Sequence, residues 1–140
     1  MTYATLDDLI NRAGPDEIRQ VADRDLDGLV DAAVIAAVLA SADRMVDGYV
    51  GARYDLPLAE VPELVNTWAT SIARYQLHAA GAPDYVVQDY KDAIAALKDV
   101  SRGLIVLPLP SGAVAAPGAD GSVLAEHPAE VFTSSRLRGW

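Results

Sequence analysis

Three segments of this chain repeat apolar residues at the spacing of an α-helix, and this periodicity constrains the fold most strongly. The first segment follows Asp31, which we expect to cap a long helix that reaches about Arg53. One face of this helix would be buried and would carry Ile35, Val38, Leu39, Ala42, Val46 and Tyr49. At 1.5 Å per residue, such a helix is roughly 33 Å long. We therefore expect it to be the spine of the domain.

Two further amphipathic helices follow, and prolines separate them. Pro57 ends the first helix, because the residue before a proline avoids the helical conformation. Pro62 suits the first turn of a helix to about Ala80, whose buried stripe would hold Leu64, Val65, Trp68, Ile72, Tyr75 and Leu77. After Gly81-Ala82-Pro83, the pattern predicts another helix from Asp84 to about Arg102. Its buried face would carry Val86, Tyr90, Ala93, Ile94 and Leu97.

Two short helices are expected before the long ones. Thr5 and Asp8 have the spacing of a capping box, with aspartate in place of the usual glutamate. The helix that they begin should run to about Ala13. Pro15 can then serve as the first residue of a second short helix, through about Val21.

The character of the chain changes after Gly103. The segment from Leu104 to Pro110 is apolar but interrupted by prolines, so it is strand-like at best. We predict a mainly α fold, a helical bundle of about three long and two short helices with an extended C-terminal region that could include a hairpin. The expected units are a helical bundle domain at 1–102, a Gly/Pro-rich loop or hairpin at 103–125 and an extended docking segment at 126–140.

The charge of the chain argues against a protein that reads nucleic-acid sequence. Its 20 acidic and 11 basic residues give a net charge of −9, whereas such proteins carry a basic footprint. A passive conduit for DNA stays compatible with this charge. The chain has no cysteine, which excludes thiolate metal sites, and its longest apolar stretch, 32–42, is too short to span a membrane. We therefore expect a soluble protein with no targeting signal.

An aspartate-rich segment offers one alternative reading. Asp23, Asp25, Asp27, Gly28 and Asp31 match positions 1, 3, 5, 6 and 9 of a calcium-binding EF-hand loop. Position 12, which should be a bidentate glutamate, is a valine. The sequence favours aspartates that solvate a turn and cap the next helix, so no metal site is predicted. A calcium-dependent binding module is kept as an alternative.

No pattern in the sequence indicates catalysis. His78 and His127 lie far apart and lack neighbours at metal-ligand spacing. Ser134 lacks the glycine context of a nucleophile elbow. The pairs Asp7-Asp8 and Asp16-Glu17 each fall in the first turn of a predicted helix, where they stabilise the helix dipole. We expect neither an enzyme nor a cofactor.

The residues that we expect to contact partners lie in two segments. The C-terminal segment carries apolar anchors beside two arginines, a composition enriched at protein interfaces. The other segment ends the long helix, where an arginine–tyrosine pair could equally close the core or face a neighbour. The predicted interface residues are Phe132, Arg136, Leu137, Arg138, Trp140, Arg53, Tyr54 and Leu56. The C-terminal segment could instead fold back on its own domain, or serve a small soluble regulator that binds another protein.

The order of these features resembles the Mu-like phage head–tail connector family. The resemblance begins with Tyr3-Ala4-Thr5-Leu6-Asp7-Asp8-Leu9 and is most specific in Asp47-Gly48-Tyr49-Val50 and Arg53-Tyr54-Asp55-Leu56-Pro57-Leu58. It continues through Pro62 and Ile72-Ala73-Arg74-Tyr75-Gln76-Leu77 to Tyr90, Ala93, Ile94 and Leu97. It ends with a shortened C-terminal signature, Phe132–Trp140. The likeness covers nearly the whole chain.

The resemblance implies a structural connector at the head–tail junction of a virion, assembled in the cytoplasm of a host bacterium. It implies a ring of neighbouring copies, with twelve expected, beneath the portal protein. The other implied partner is a tail-completion or tail-terminator protein. DNA would pass through the lumen without being read, and the lumen is expected to be partly acidic.

Overall fold

The computed structural model describes residues 1–110, and this part of the chain is a bundle of α-helices without a strand. The mainly helical fold predicted from the sequence is confirmed. The helices are α1 (Leu6–Ala13), α2 (Pro15–Ala22), α3 (Ala32–Val50), α4 (Glu63–Leu77) and α5 (Asp84–Ser101). Within the same residues, no helix is both long and apolar enough to cross a membrane.

Helix α3 is the spine, although it is shorter than predicted. Its 19 residues make it roughly 28 Å long. It ends at Val50 rather than near Arg53, because residues 51–53 form a tighter turn in which Arg53 N–H donates to the carbonyl three residues earlier, that of Val50, at 3.0 Å. The predicted stripe is buried at Ile35, Val38, Ala42 and Val46 and half-buried at Leu39 and Tyr49.

Helix α4 lies against both α3 and α5 and has more buried residues than any other of the five helices. Its buried residues are Val65, Ala69, Thr70, Ser71, Ile72, Ala73, Arg74 and Leu77. The prediction that Leu64 is buried was wrong, since 46% of its surface is exposed. Successive helix residues are rotated by about 100°, and the adjacent Val65 takes the inward position. Helix α4 also ends at Leu77 rather than Ala80, because His78 leaves the helical conformation.

The N-terminal segment joins α1, α3 and α4. The capping box is confirmed: the Thr5 hydroxyl accepts the Asp8 N–H at 3.3 Å, and the Asp8 carboxylate accepts the Thr5 N–H at 2.8 Å. Tyr3 is buried, and its N–H donates to Asp43 of α3 at 2.9 Å while its hydroxyl donates to Asp47. The Asn66 amide on α4 donates to the Tyr3 carbonyl at 2.9 Å. Residues 1–5 therefore hold three helices together.

Residues 104–110 follow α5 without regular secondary structure, and the Leu109 N–H donates to the Leu107 carbonyl at 2.9 Å. Exposure alternates along them: Leu104 and Val106 face outward, whereas Leu107 is buried and Ile105 and Leu109 pack partly against the core. The predicted strand-like character is thus limited to this alternation. The predicted units at 103–125 and 126–140 lie largely or wholly outside the described residues.

Candidate functional site

The end of α3 and the segment after α5 meet in one place. Tyr54 is buried, and its hydroxyl accepts the Leu107 N–H at 2.9 Å. The guanidinium of Arg53 lies against Gly103, so close that a β-carbon there would approach Nη2 to 2.7 Å. Gly103 has a φ of +77°, which glycine adopts without strain. These two contacts place Arg53 and Tyr54 beside Gly103 and Leu107.

Exposed apolar side chains flank these two contacts in the sequence, and we define the junction surface by Arg53, Leu56, Arg102, Leu104 and Val106. The exposed fractions are 39% for Leu56, 72% for Leu104 and 76% for Val106. Exposed apolar residues that lie together on a folded protein commonly mark an interaction site. Within residues 1–110, neither of the two arginines forms an ion pair.

The sequence-predicted interface residues are therefore divided by the structure. Three of them follow the end of α3. Arg53 and Leu56 belong to the junction surface, whereas the Tyr54 hydroxyl binds the Leu107 N–H within the fold. The pair Arg53-Tyr54 thus both closes the core and borders an exposed surface. The other five predicted residues, Phe132, Arg136, Leu137, Arg138 and Trp140, lie outside the described residues.

A second exposed apolar surface lies at the opposite end of α3, and the sequence analysis did not identify it. Leu26 is 87% exposed and Leu29 is 68% exposed, both in the loop between α2 and α3. The first half of α3 adds an outward face made of alanine: Ala32, Ala33, Ala36, Ala37 and Ala40. We call the two leucines and this face the leading surface. The signal in the sequence was the absence of any charged residue from 32 to 42.

The aspartates of the loop before α3 hold its backbone. Asp23 accepts the N–H groups of Asp27 at 3.1 Å and Gly28 at 2.8 Å. Asp31 accepts the Arg24 N–H at 2.8 Å, so it closes the loop and makes no side-chain cap on α3. Carboxylate oxygens of Asp23, Asp25 and Asp27 lie within 4.8 Å of one another. This geometry explains the aspartates as turn-forming residues, as the sequence favoured, whereas the prediction that the Asp31 side chain caps α3 was wrong, because its carboxylate accepts the Arg24 N–H instead.

A buried ion pair joins α2 to α4. The Arg74 guanidinium donates two hydrogen bonds of 2.8 Å to the Glu17 carboxylate, and His78 Nε2 lies 3.1 Å from the same carboxylate. The Arg74 hydrogen bonds lower the pKa of Glu17 below its ordinary value, although burial opposes the shift. Arg74 also lies over the Tyr85 ring, 5.3 Å from its centre. This cluster holds α2 against α4, and its charged groups are paired with each other.

Comparisons with known proteins found a matching family and related phage proteins. The model of the family described as Bacteriophage Mu, Gp36 matches residues 3–126. The Mu-like prophage FluMu protein gp36 of Haemophilus influenzae is 36% identical over 107 residues, which cover 76% of each chain. Gene product J of Escherichia phage Mu is 29% identical over 134 residues, which cover 95% of each chain.

Proposed function

Because this chain belongs to the Bacteriophage Mu Gp36 family, we propose that it is a structural head–tail connector of a Mu-like phage. Family membership assigns it to bacteriophage structural and assembly proteins. The connector role is more specific than this class, and it is the part that we propose. In that role the protein binds beneath the portal, links the DNA-filled head to the tail and performs no turnover.

The observation that carries this proposal is the placement of two exposed apolar surfaces at the two ends of α3. The leading surface precedes and covers the first half of the helix, and the junction surface lies past its end. A rigid helical body with separate docking surfaces suits a protein that joins other proteins. Closed rings need this arrangement, because each subunit contacts its two neighbours through different surfaces.

We propose partners of three kinds for the separate surfaces of this protein. Neighbouring copies would form a ring, with twelve expected, and the portal protein and a tail-completion or tail-terminator protein would bind its two faces. The C-terminal segment from Phe132 to Trp140 would dock on the portal or on an adjacent subunit. Its two arginines, Arg136 and Arg138, would meet acidic groups of the partner.

The net charge supports a lumen through which DNA slides. A charge of −9 per chain, multiplied around a ring, makes a partly acidic inner wall that repels the phosphate backbone. DNA would then pass without being held. A ring whose inner wall is basic would contradict this part of the proposal.

The test uses tail-less heads from an infection in which the gene for this protein is deleted. Purified full-length protein is added, and its co-sedimentation with the heads is measured, followed by infectivity after excess tails are added. We expect binding only to heads that contain the portal, together with restored infectivity. Equal binding to heads without the portal, or no binding to either, would refute the connector role.

A shortened variant separates the connector role from the docking hypothesis. Removing Ser134–Trp140 should abolish binding to the heads if this segment docks on a partner. Unchanged binding with reduced thermal stability would instead show that the segment folds back on its own domain.

A further inference from the structure

The leading surface is an unusual face for a helix that borders water. Helix α3 already buries one stripe, yet its opposite side in the first half carries only exposed alanines. A solvent-facing helix surface normally carries charged or polar residues. Leu26 and Leu29 extend this face with two large exposed side chains. The first half of α3 is therefore apolar on both sides.

Charge distinguishes the two exposed surfaces. The loop from Asp23 to Asp31, beside the leading surface, contains four aspartates and one arginine. The two segments that carry the junction surface, residues 53–56 and 98–106, contain three cations, Arg53, Lys98 and Arg102, against the two carboxylates of Asp55 and Asp99. On a chain with nearly twice as many acidic as basic residues, this local excess of cations is complementary to the acidic loop.

The two surfaces cannot meet within one copy. They lie at opposite ends of α3, which is roughly 28 Å long. Between two copies they can meet head to tail, and contacts of that type generate rings when the rotation closes. An interaction of the leading surface with itself would place acidic loop against acidic loop, which like-charge repulsion opposes.

We propose that the leading surface of one copy docks on the junction surface of a second copy. Leu26, Leu29 and the alanine face would cover Leu104 and Val106, while the loop aspartates would approach Arg53 and Arg102. This inference rests on the ring in the proposed function and names the surfaces that build it. The contact between neighbours is then independent of the portal and of the tail.

Single cysteines test this contact cleanly, because the chain has none of its own. Leu29→Cys protein is mixed with size-tagged Val106→Cys protein, and the mixture is oxidised both in solution and after binding to portal-containing heads. We expect mixed disulfide dimers to exceed both homodimers. Ala95→Cys, at an exposed position of α5, is the matched control and should form few mixed dimers with either variant.

Charge reversal gives a second readout with the same pair of cysteines. Asp25→Lys with Asp27→Lys in the Leu29→Cys chain should lower the yield of mixed dimers roughly five- to tenfold. Adding Arg53→Glu and Arg102→Glu to the Val106→Cys chain should restore most of that yield. Loss without restoration would contradict the proposed pairing of charges.

The outcomes separate this inference from the connector role. Protein that binds the heads but gives no mixed dimers there would overturn the inference and leave the connector role intact. Mixed dimers in solution without binding to heads would support the inference and count against the connector role. Homodimers of Leu29→Cys in excess would show a symmetric contact and also overturn the inference.

Discussion

The guanidinium of Arg74 on α4 donates two hydrogen bonds of 2.8 Å to the carboxylate of Glu17 on α2. The Arg74 side chain is 8% exposed and that of Glu17 is 22% exposed. The pair joins residues 57 positions apart in the chain and fixes a short helix that could not hold its place alone. We therefore expect this ion pair to contribute more to the stability of the fold than an exposed ion pair does.

The substitution Glu17→Gln should destabilise the protein by about 2–3 kcal/mol, because Arg74 would keep its charge without a buried counter-charge. The measurement is chemical unfolding followed by circular dichroism. Asp16→Asn is the matched control, since its ion pair with Arg19 is exposed and should contribute under about 1 kcal/mol. Equal effects of the two substitutions would show that burial does not strengthen the Glu17 pair.

The same ion pair predicts a dependence of stability on pH. Hydrogen bonds from Arg74 lower the pKa of Glu17 in the folded protein, so the folded state binds its proton less readily than the unfolded state. The stability that Glu17 contributes is complete above its unfolded pKa of about 4.3 and is lost as the pH falls through the lower folded pKa. The difference in unfolding free energy between the wild type and Glu17→Gln should therefore shrink below about pH 4. A difference that is constant from pH 7 to pH 3 would contradict the shift.

The hydroxyl of Tyr3 should contribute measurably to stability. Burial, followed by the hydrogen bond and charge of Asp47, raises the pKa of this hydroxyl, so it stays protonated and donates to Asp47. Tyr3→Phe should cost about 1–2 kcal/mol in thermal or chemical unfolding. Tyr85→Phe, at a ring that is 58% exposed, should cost less than about 0.5 kcal/mol. A neutral Tyr3→Phe would show that the hydrogen bond from the Tyr3 hydroxyl to Asp47 does not stabilise the bundle.

Replacing either of two glycines with alanine should change the stability of the protein, but in opposite directions. Gly103→Ala should destabilise by about 1–2 kcal/mol, because φ is +77° there and the new β-carbon would displace the Arg53 guanidinium. Gly48→Ala should stabilise by about 0.5–1 kcal/mol, because Gly48 lies within α3 and a β-carbon there meets no atom within 4 Å. Parallel melting curves of the two variants provide the test. The same sign for both would contradict the described geometry.

Local signals in the sequence predicted the helices well. The Thr5 capping box, Pro15 and the apolar spacing in α3 each act within a few residues, so they can be interpreted before the fold is known. Errors arose where one step along a helix changed the face, as at Leu64, or where a helix ended earlier than predicted, as at His78.

The candidate interaction surfaces were only partly predictable. Arg53 and Leu56 were identified, but their neighbours Leu104 and Val106 join them only through the fold. Glu17 was interpreted as a charge at a helix N-terminus, and nothing near it in the sequence indicates Arg74 as its partner. Leu26 and Leu29 lie among aspartates whose spacing resembles a calcium-binding loop, so this segment was interpreted from its aspartates and not from its leucines.

The most direct test of the connector role is electron microscopy of the portal vertex in tail-less heads, with and without the purified protein. The proposal predicts a ring of added density beneath the portal, absent from heads without the protein and from heads that lack the portal. A vertex that is identical with and without saturating protein would contradict it.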